Sequence, residues 1–223
     1  AGVPENVFET IIGKGSVGEY LLDLPLDGYY FTGSYKTGKY IAERVAGKLV
    51  PCQLELGGKD PMYVMDDVKD IRAVAAAAVE GAVYNNGQSC CAVERVYVHK
   101  NIYDEFVSEY VQQLKQLKAG DPLDNGTDVG PLSRKEQVEF LCSQVSDALS
   151  KGAKLLAGGK KIDGKGYFFE PGVLVNVNHD MSLMKEESFG PVVGIQKVSD
   201  DDEAAQLMQD TPYGLTAAVY SSS

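Results

Sequence analysis

Cys90 and Cys91 stand side by side in NNGQSCCAVERVYV, residues 85–98. A cysteine thiolate attacks carbonyl carbon readily, but it forms at neutral pH only where N–H dipoles or positive charge stabilise it. A bridge between sequence neighbours is hard to close geometrically. The other two cysteines, Cys52 and Cys142, and the two histidines, His99 and His179, show no zinc-binding spacing, so no metal is expected. In a reduced chain most cysteines are simply small buried hydrophobes. What favours chemistry is the company: Gly87 and Ser89 are small enough to let a substrate approach Cys90. Glu55 is the second candidate. It lies in QLELGGKDP, residues 53–61, at the C-terminal end of an apolar run, the edge where open parallel sheets bind ligands. There a carboxylate is either an exposed strand-end residue or, if buried, needs a partner, an elevated pKa or a wet cleft.

Two glycine turns could hold phosphate. Gly13-Lys14-Gly15-Ser16-Val17-Gly18 fits G-x-G-x-x-G between an expected strand and helix. The acidic residue that should end the next strand is absent, because that strand closes on Thr32-Gly33-Ser34, so a plain strand-to-helix turn remains the alternative. The second turn, FTGSYKTG at 31–38, is better placed. Gly33 permits close backbone approach, Ser34 offers a hydroxyl, and the next helix aims its N-terminus at any anion there. On these residues alone a helix cap explains the pattern equally well.

The elements that must carry these residues follow from periodicity. Strands are expected at 7–12, 29–34, 50–56 (apolar enough for burial on both faces), 93–99 (alternating), 168–177, 191–198 and 215–221. Helical spacing marks 37–47, and 68–86 with Asp66 or Asp67 as its cap and Asn85-Asn86-Gly87 as its end. Helices are also expected over 102–119, over 135–152 behind a Ser133–Glu136 capping box, and over 201–209. Strands alternating with helices predict an α/β fold with a parallel sheet. The Gly57-Gly58 pair marks the expected boundary between domains 1–56 and 57–223.

With 223 residues the chain can bury a sizeable core, and 44% hydrophobic with 24% charged residues is ordinary globular composition. A net charge of −11 argues against nucleic acid and anionic membrane surfaces as partners. No apolar run is long enough to span a bilayer, and the first residues lack the pattern of a signal peptide. A reduced, cytoplasmic chain is expected.

FTGSYKTG at 31–38, LELGGKDP at 54–61, NNGQSCCA at 85–92, GYFFEPGVL at 166–174 and KEESFGPVVGI at 185–195 together resemble the aldehyde dehydrogenase superfamily, in its order and with similar intervals. The resemblance covers nearly the whole chain. It implies part of a Rossmann-like parallel-sheet cofactor domain followed by an α/β catalytic domain, and NAD or NADP as cofactor. It implies Cys90 as nucleophile, two residues after Gln88, and Glu55 as general base. It implies cofactor contacts at Gly33, Ser34 and Gly38 for the pyrophosphate turn, at Leu56, at Glu187 for the nicotinamide ribose and at Phe189 for the nicotinamide.

The implied reaction is oxidation of a small-molecule aldehyde to an acid through a thiohemiacetal and a thioester on Cys90. Relatives that pass the acyl group to coenzyme A or phosphate do not need the base, so Glu55 favours hydrolysis. The alternatives are a non-catalytic structural or binding module built on the same fold, or thiol esterase activity without redox. Family members are about twice this length, so the chain reads as an internal piece of a homodimeric or homotetrameric parent. The chain alone is therefore expected to bind NAD poorly and turn over slowly or not at all. Normal aldehyde-dependent NADH formation by the purified 223-residue chain would contradict that expectation.

Overall fold

The computed structural model describes residues 2–222. Ala1 and Ser223, the outermost residues of the two expected domains, lie outside the described residues. The chain forms two compact units, Ala1–Leu56 and Gly57–Ser223.

The smaller unit contains α1 (Gly15–Asp23), β1 (Tyr29–Gly33), α2 (Tyr35–Val45) and β2 (Cys52–Leu56). β1 and β2 pair in parallel, with Thr32 opposite Glu55 and Gly33 opposite Leu56. Ser34 caps α2, its hydroxyl accepting from the Thr37 N–H at 3.3 Å. Ile41 and Val45 turn inward at helical spacing onto Leu22 and Tyr29. Lys48 ties the layers together by donating to the carbonyls of Leu22 and Leu24 and to the Tyr29 hydroxyl.

Two expectations fail in this unit. Residues 7–12 form no strand, and Phe8 and Ile12 are 76% and 93% exposed. A run of high β-propensity becomes a strand only where a neighbour takes up its N–H and C=O groups, and no described strand lies alongside it. The G-x-G-x-x-G turn thus lacks the preceding strand that its phosphate reading requires. β2 is not buried on both faces either. Its burial alternates, with Cys52, Leu54 and Leu56 half-buried and Gln53 and Glu55 exposed.

The larger unit is built around one sheet. Its elements in order are β3 (Asp60–Val64), α3 (Ile71–Val83), β4 (Val93–His99), α4 (Tyr103–Leu114), α5 (Lys135–Ser150), β5 (Lys154–Ala157), β6 (Lys160–Lys161), β7 (Phe169–Glu170), β8 (Gly172–Val175), α6 (Ser182–Lys185), β9 (Val192–Val198), α7 (Asp201–Gln209) and β10 (Ala218–Tyr220). Among the described residues six strands lie in the order β10-β3-β4-β9-β8-β5. All neighbours are parallel except β5 and β8.

Period-two alternation sorts the side chains. Met62, Val64, Val96, Val98, Val193 and Ile195 point to the face covered by α3 and α4. Tyr63, Tyr97, Leu174 and Val192 point to the face covered by α5, α6 and α7. β4 therefore carries no solvent face, although its sequence alternates; both faces are buried, as expected of a central strand in a parallel sheet.

Several boundaries move for identifiable reasons. The cap of α3 is Asp70, whose side chain accepts from the Ala73 N–H at 2.9 Å, and not Asp66 or Asp67. Asp66 instead accepts from Asn101 and Asp67 from Ser221. α3 ends at Val83 and α4 at Leu114, earlier than periodicity suggests. Ser133 does not cap α5, because its hydroxyl and N–H are both taken by Gln88. β3 goes unrecognised in the sequence because Asp60 and Pro61 read as turn residues. In the structure Pro61 falls at a register shift of the β3–β4 ladder, and the Asp60 carboxylate is used by the Thr216 N–H and hydroxyl. Among the described residues no helix is long and apolar enough to cross a membrane.

Removing the Asp70 cap tests the revised start of α3. Asp70→Ala is expected to cost about 1 kcal/mol of stability, read from the midpoint of urea unfolding. An unchanged midpoint would put the cap elsewhere.

Candidate active site

Within the larger unit three distant segments converge on Cys90. The first is the Gly57–Asp60 turn into β3, the second the 85–91 loop after α3, and the third residues 186–191 ahead of β9. Asn85 and Asn86 end α3 in left-handed conformations, with φ of 51° and 58°. Asn tolerates that region because its short polar side chain bonds locally. Asn85 donates to the Gln88 carbonyl, while Asn86 bridges to the Gly130 N–H and the Pro131 carbonyl. Gln88 is pinned by Ser133. The loop that presents Cys90 is thus held against the chain ahead of α5.

Backbone packs on backbone at this junction. Gly87 has φ +67°, and a Cβ there would come within 2.4 Å of the Gly190 carbonyl carbon. At Gly57 a Cβ would meet the Glu187 carboxylate at 2.3 Å, and at Gly58 the Cys90 carbonyl oxygen at 2.5 Å. Only glycine fits the backbone approaches at Gly58 and Gly87, whereas Gly57 lies against the movable end of the Glu187 side chain. Glu187 Oε1 accepts from the Gly58 N–H at 3.1 Å. Burial, then the neighbouring Glu94 carboxylate, pushes the Glu187 carboxyl above the usual range. Phe189 sits at φ +45°, a conformation costing on the order of 1–3 kcal/mol for a bulky residue.

The two thiols differ. Cys90 is half-buried, and desolvation followed by the adjacent Cys91 thiol pushes it up. Cys91 is exposed, with the Ser89 hydroxyl 3.4 Å and the Tyr84 hydroxyl 3.2 Å from its sulfur. Those hydrogen bonds draw its thiol down.

The structure brings Cys90, Glu187 and Phe189 into one neighbourhood of the larger unit. The other residues singled out in the sequence share the C-terminal edge of the smaller unit's two strands. There Gly33 and Leu56 are register partners, Ser34 caps α2, and the Leu56 side chain lies on Gly38, where a Cβ would come within 2.3 Å. Glu55 is exposed and accepts from Gln53 at 3.4 Å, which is the strand-end placement and not the buried one. Beside that edge, α1, β1 and α2 enclose a cleft of 570 Å³ lined by Leu22, Leu26, Tyr30, Thr37, Tyr40 and Ile41.

Sequence reasoning missed Lys59, Glu94 and Arg95. They are 1%, 2% and 0% exposed. Lys59 Nζ donates to Glu94 at 2.7 Å and to the Ser188 hydroxyl at 2.8 Å. Burial pushes the Lys59 ammonium down, and the Glu94 carboxylate opposes that shift. Arg95 donates to the carbonyls of Lys59, Leu207 and Met208. The available clue was adjacent opposite charges, Glu94-Arg95, inside an otherwise apolar strand. Among the described residues no cluster of three or more His, Cys, Asp or Glu could hold a metal ion.

A parallel α/β sheet with a thiol loop at its edge agrees with the chain's relatives. The model of the Aldehyde dehydrogenase family matches residues 1–223. The succinate-semialdehyde dehydrogenase [NADP(+)] of Mycobacterium avium (strain 104) is 42% identical over 215 residues, which cover 96% of this chain and 45% of that protein. Succinate-semialdehyde dehydrogenase [NADP(+)] 1 of Mycobacterium tuberculosis (strain H37Rv) is 39% identical, with 96% of this chain and 47% of that protein covered. The structure of betaine aldehyde dehydrogenase (betB) from Staphylococcus aureus in complex with NAD+ superposes with a TM-score of 0.90 at 36% identity, over 95% of this chain and 43% of that one. An aldehyde dehydrogenase from Brucella melitensis biovar abortus 2308 gives 0.90 at 34% identity, over 96% and 44%. The chain belongs to the aldehyde dehydrogenase family. It spans about half the length of the curated relatives it matches.

The thiol asymmetry has a direct readout. With no cofactor present, iodoacetamide at neutral pH is expected to alkylate Cys91 before Cys90, because the Cys91 thiolate forms at lower pH. Tyr84→Phe should slow alkylation at Cys91 and move its pH profile upward. Faster labelling of Cys90, located by peptide mapping, would contradict the assignment.

Proposed function

We propose that the protein oxidises an aldehyde to a carboxylic acid with NAD or NADP, using Cys90 as nucleophile. The observation that carries this reading is the convergence on Cys90 of Gly58 and the Glu187–Phe189 segment, in a chain whose whole length matches the family. The names of the relatives support it: succinate-semialdehyde dehydrogenases that use NADP(+), and a betaine aldehyde dehydrogenase solved with NAD+.

The residues present suit a dinucleotide. The Ser34-capped N-terminus of α2 follows Gly33 at the end of a parallel strand, a place that favours phosphate. The cleft beside the same helix offers apolar and aromatic walls to a flat base. Glu187, held by the Gly58 N–H, is proposed to accept from ribose hydroxyls. Phe189 is proposed to support the nicotinamide, and Leu56 and Gly38 to border the pyrophosphate. When bound, the cofactor supplies the acceptor for the hydride that leaves the aldehyde carbon.

The chain's own residues do the rest. Cys90 loses its thiol proton to water, and the thiolate adds to the aldehyde carbon to form a tetrahedral thiohemiacetal whose oxygen carries the negative charge. The oxyanion needs preorganised donors, and the Cys90 backbone N–H is proposed as one. Loss of hydride leaves a thioester on Cys90. Glu55 takes a proton from water, the hydroxide adds to the thioester carbon, and the carbon–sulfur bond breaks to release the acid and restore Cys90. The exposed position of Glu55 at its strand end leaves it accessible to water.

In the whole protein, Cys90→Ala is expected to lower aldehyde-dependent NAD(P)H formation by about a thousandfold or more. Cys91→Ala should retain most of the rate. The reverse pattern would shift the nucleophile by one residue and overturn the assignment.

A further inference from the structure

Glu94 lies near the start of β4, just after the Cys90 loop and far in sequence from Ser188 and Phe189, yet its carboxylate is fully engaged with both. Oε1 accepts from the Phe189 N–H at 2.8 Å, and Oε2 from the Ser188 N–H at 2.7 Å. Oε2 also receives the Lys59 ammonium at 2.7 Å, and Lys59 reaches on to the Ser188 hydroxyl. Two consecutive backbone N–H groups thus converge on one carboxylate. Phe189, which carries the second of them, sits in the left-handed region at φ +45°.

We infer that Glu94, set in place by Lys59, is the positioning residue that holds the Ser188–Phe189 turn, with Phe189 left-handed, and so presents Glu187 and Phe189 to the cofactor. The charge-assisted bonds from two backbone donors offset the strain at Phe189. The same segment is clamped from outside by Gln144, which donates to the Glu186 carbonyl, and Gln137, which donates to the Ser188 carbonyl. Those two bonds fix where the strand enters; only Glu94 engages the two N–H groups inside the turn. Gly58 completes the arrangement, because its N–H holds the Glu187 carboxylate from the next position along from Lys59. One buried ion pair thus sets both the turn that carries the cofactor-facing side chains and the turn that orients one of them. The inference rests on the cofactor roles proposed for Glu187 and Phe189.

A buried pair can also serve only to keep a buried cation neutralised, and the experiment must separate the two roles. Glu94→Gln offers the turn one carbonyl oxygen and one amide donor, so one of the two backbone N–H groups, or Lys59, loses its acceptor. Glu94→Gln combined with Lys59→Met removes the buried charge altogether and still withholds the second acceptor. In the whole protein, NADH and NADPH would be titrated by their own fluorescence without aldehyde, and amide hydrogen exchange followed at Ser188 and Phe189. Both variants are expected to weaken cofactor binding by about tenfold. Both should also speed exchange at those two amides by a similar factor while leaving Val96 and Val98 protected.

Restored binding and protection in the double variant would show that Glu94 merely neutralises Lys59, and would overturn the inference. So would unchanged cofactor binding in Glu94→Gln, or the loss of a cooperative unfolding transition in both variants, which would assign Glu94 to the folding core. The readout is binding, not turnover, so a failure of aldehyde oxidation would sink the proposed activity without touching this result.

Discussion

Cys90 can be presented as it is only because backbone lies directly on backbone at two places around it. The Gly58 position abuts the Cys90 carbonyl and Gly87 abuts Gly190, while Gly57 lies against the end of the Glu187 side chain. A single β-carbon at Gly58 or Gly87 would push apart segments that are distant in sequence. Backbone contacts of this kind leave no side chain to absorb error, so the glycines fix the thiol loop relative to the 186–191 segment more firmly than an apolar contact would. The sheet beneath supplies the frame, since β3, β4 and β9 are adjacent parallel strands and the three segments enter or leave them.

Electrostatics then acts on this frame. Four charged side chains, Lys59, Asp60, Glu94 and Arg95, are buried at the N-terminal ends of β3 and β4, Asp60 against the Thr216 N–H and hydroxyl. Uncompensated, each would cost several kcal/mol. Every one is met by specific groups: Lys59 by Glu94 and Ser188, Glu94 by two backbone N–H groups, Arg95 by three carbonyls. Such a network adds little net stability over apolar packing, but it admits few alternative arrangements. The Ser188–Phe189 turn is therefore held by a lattice of charge-assisted bonds and not by the hydrophobic core alone. The two thiols show the same local control. Side by side in sequence, they are driven in opposite directions, Cys90 up by burial and Cys91 down by hydroxyl donors.

The sequence made the α/β fold legible through the alternation of periods, and the family resemblance of its motifs singled out Cys90, Glu187 and the Ser34 turn as candidate site residues. It also carried the left-handed end of α3, since Asn85-Asn86-Gly87 is a run that tolerates positive φ. It failed where a residue's role is set by a distant partner. Ser133 looks like a helix cap but is committed to Gln88. Asp60 and Pro61 look like a turn but begin a central strand whose polar group is satisfied by Thr216. Residues 7–12 have the composition of a strand without a described neighbour to pair with. Glu94 and Lys59 lie 35 positions apart, and nothing local announces that they meet, although two charges in an apolar strand needed an explanation. Long-range polar pairing is invisible to periodicity, and it is what organises this site.

The most direct test of the central claim is to trap the acyl intermediate. The whole protein would be mixed with NAD(P)+ and an aldehyde, quenched in acid within the first turnover, and mapped by mass spectrometry. The account predicts an added acyl mass on the peptide spanning residues 85–98, with fragmentation placing it on Cys90. An acyl group on Cys91, or aldehyde oxidation with no acylated cysteine at any quench time, would contradict it.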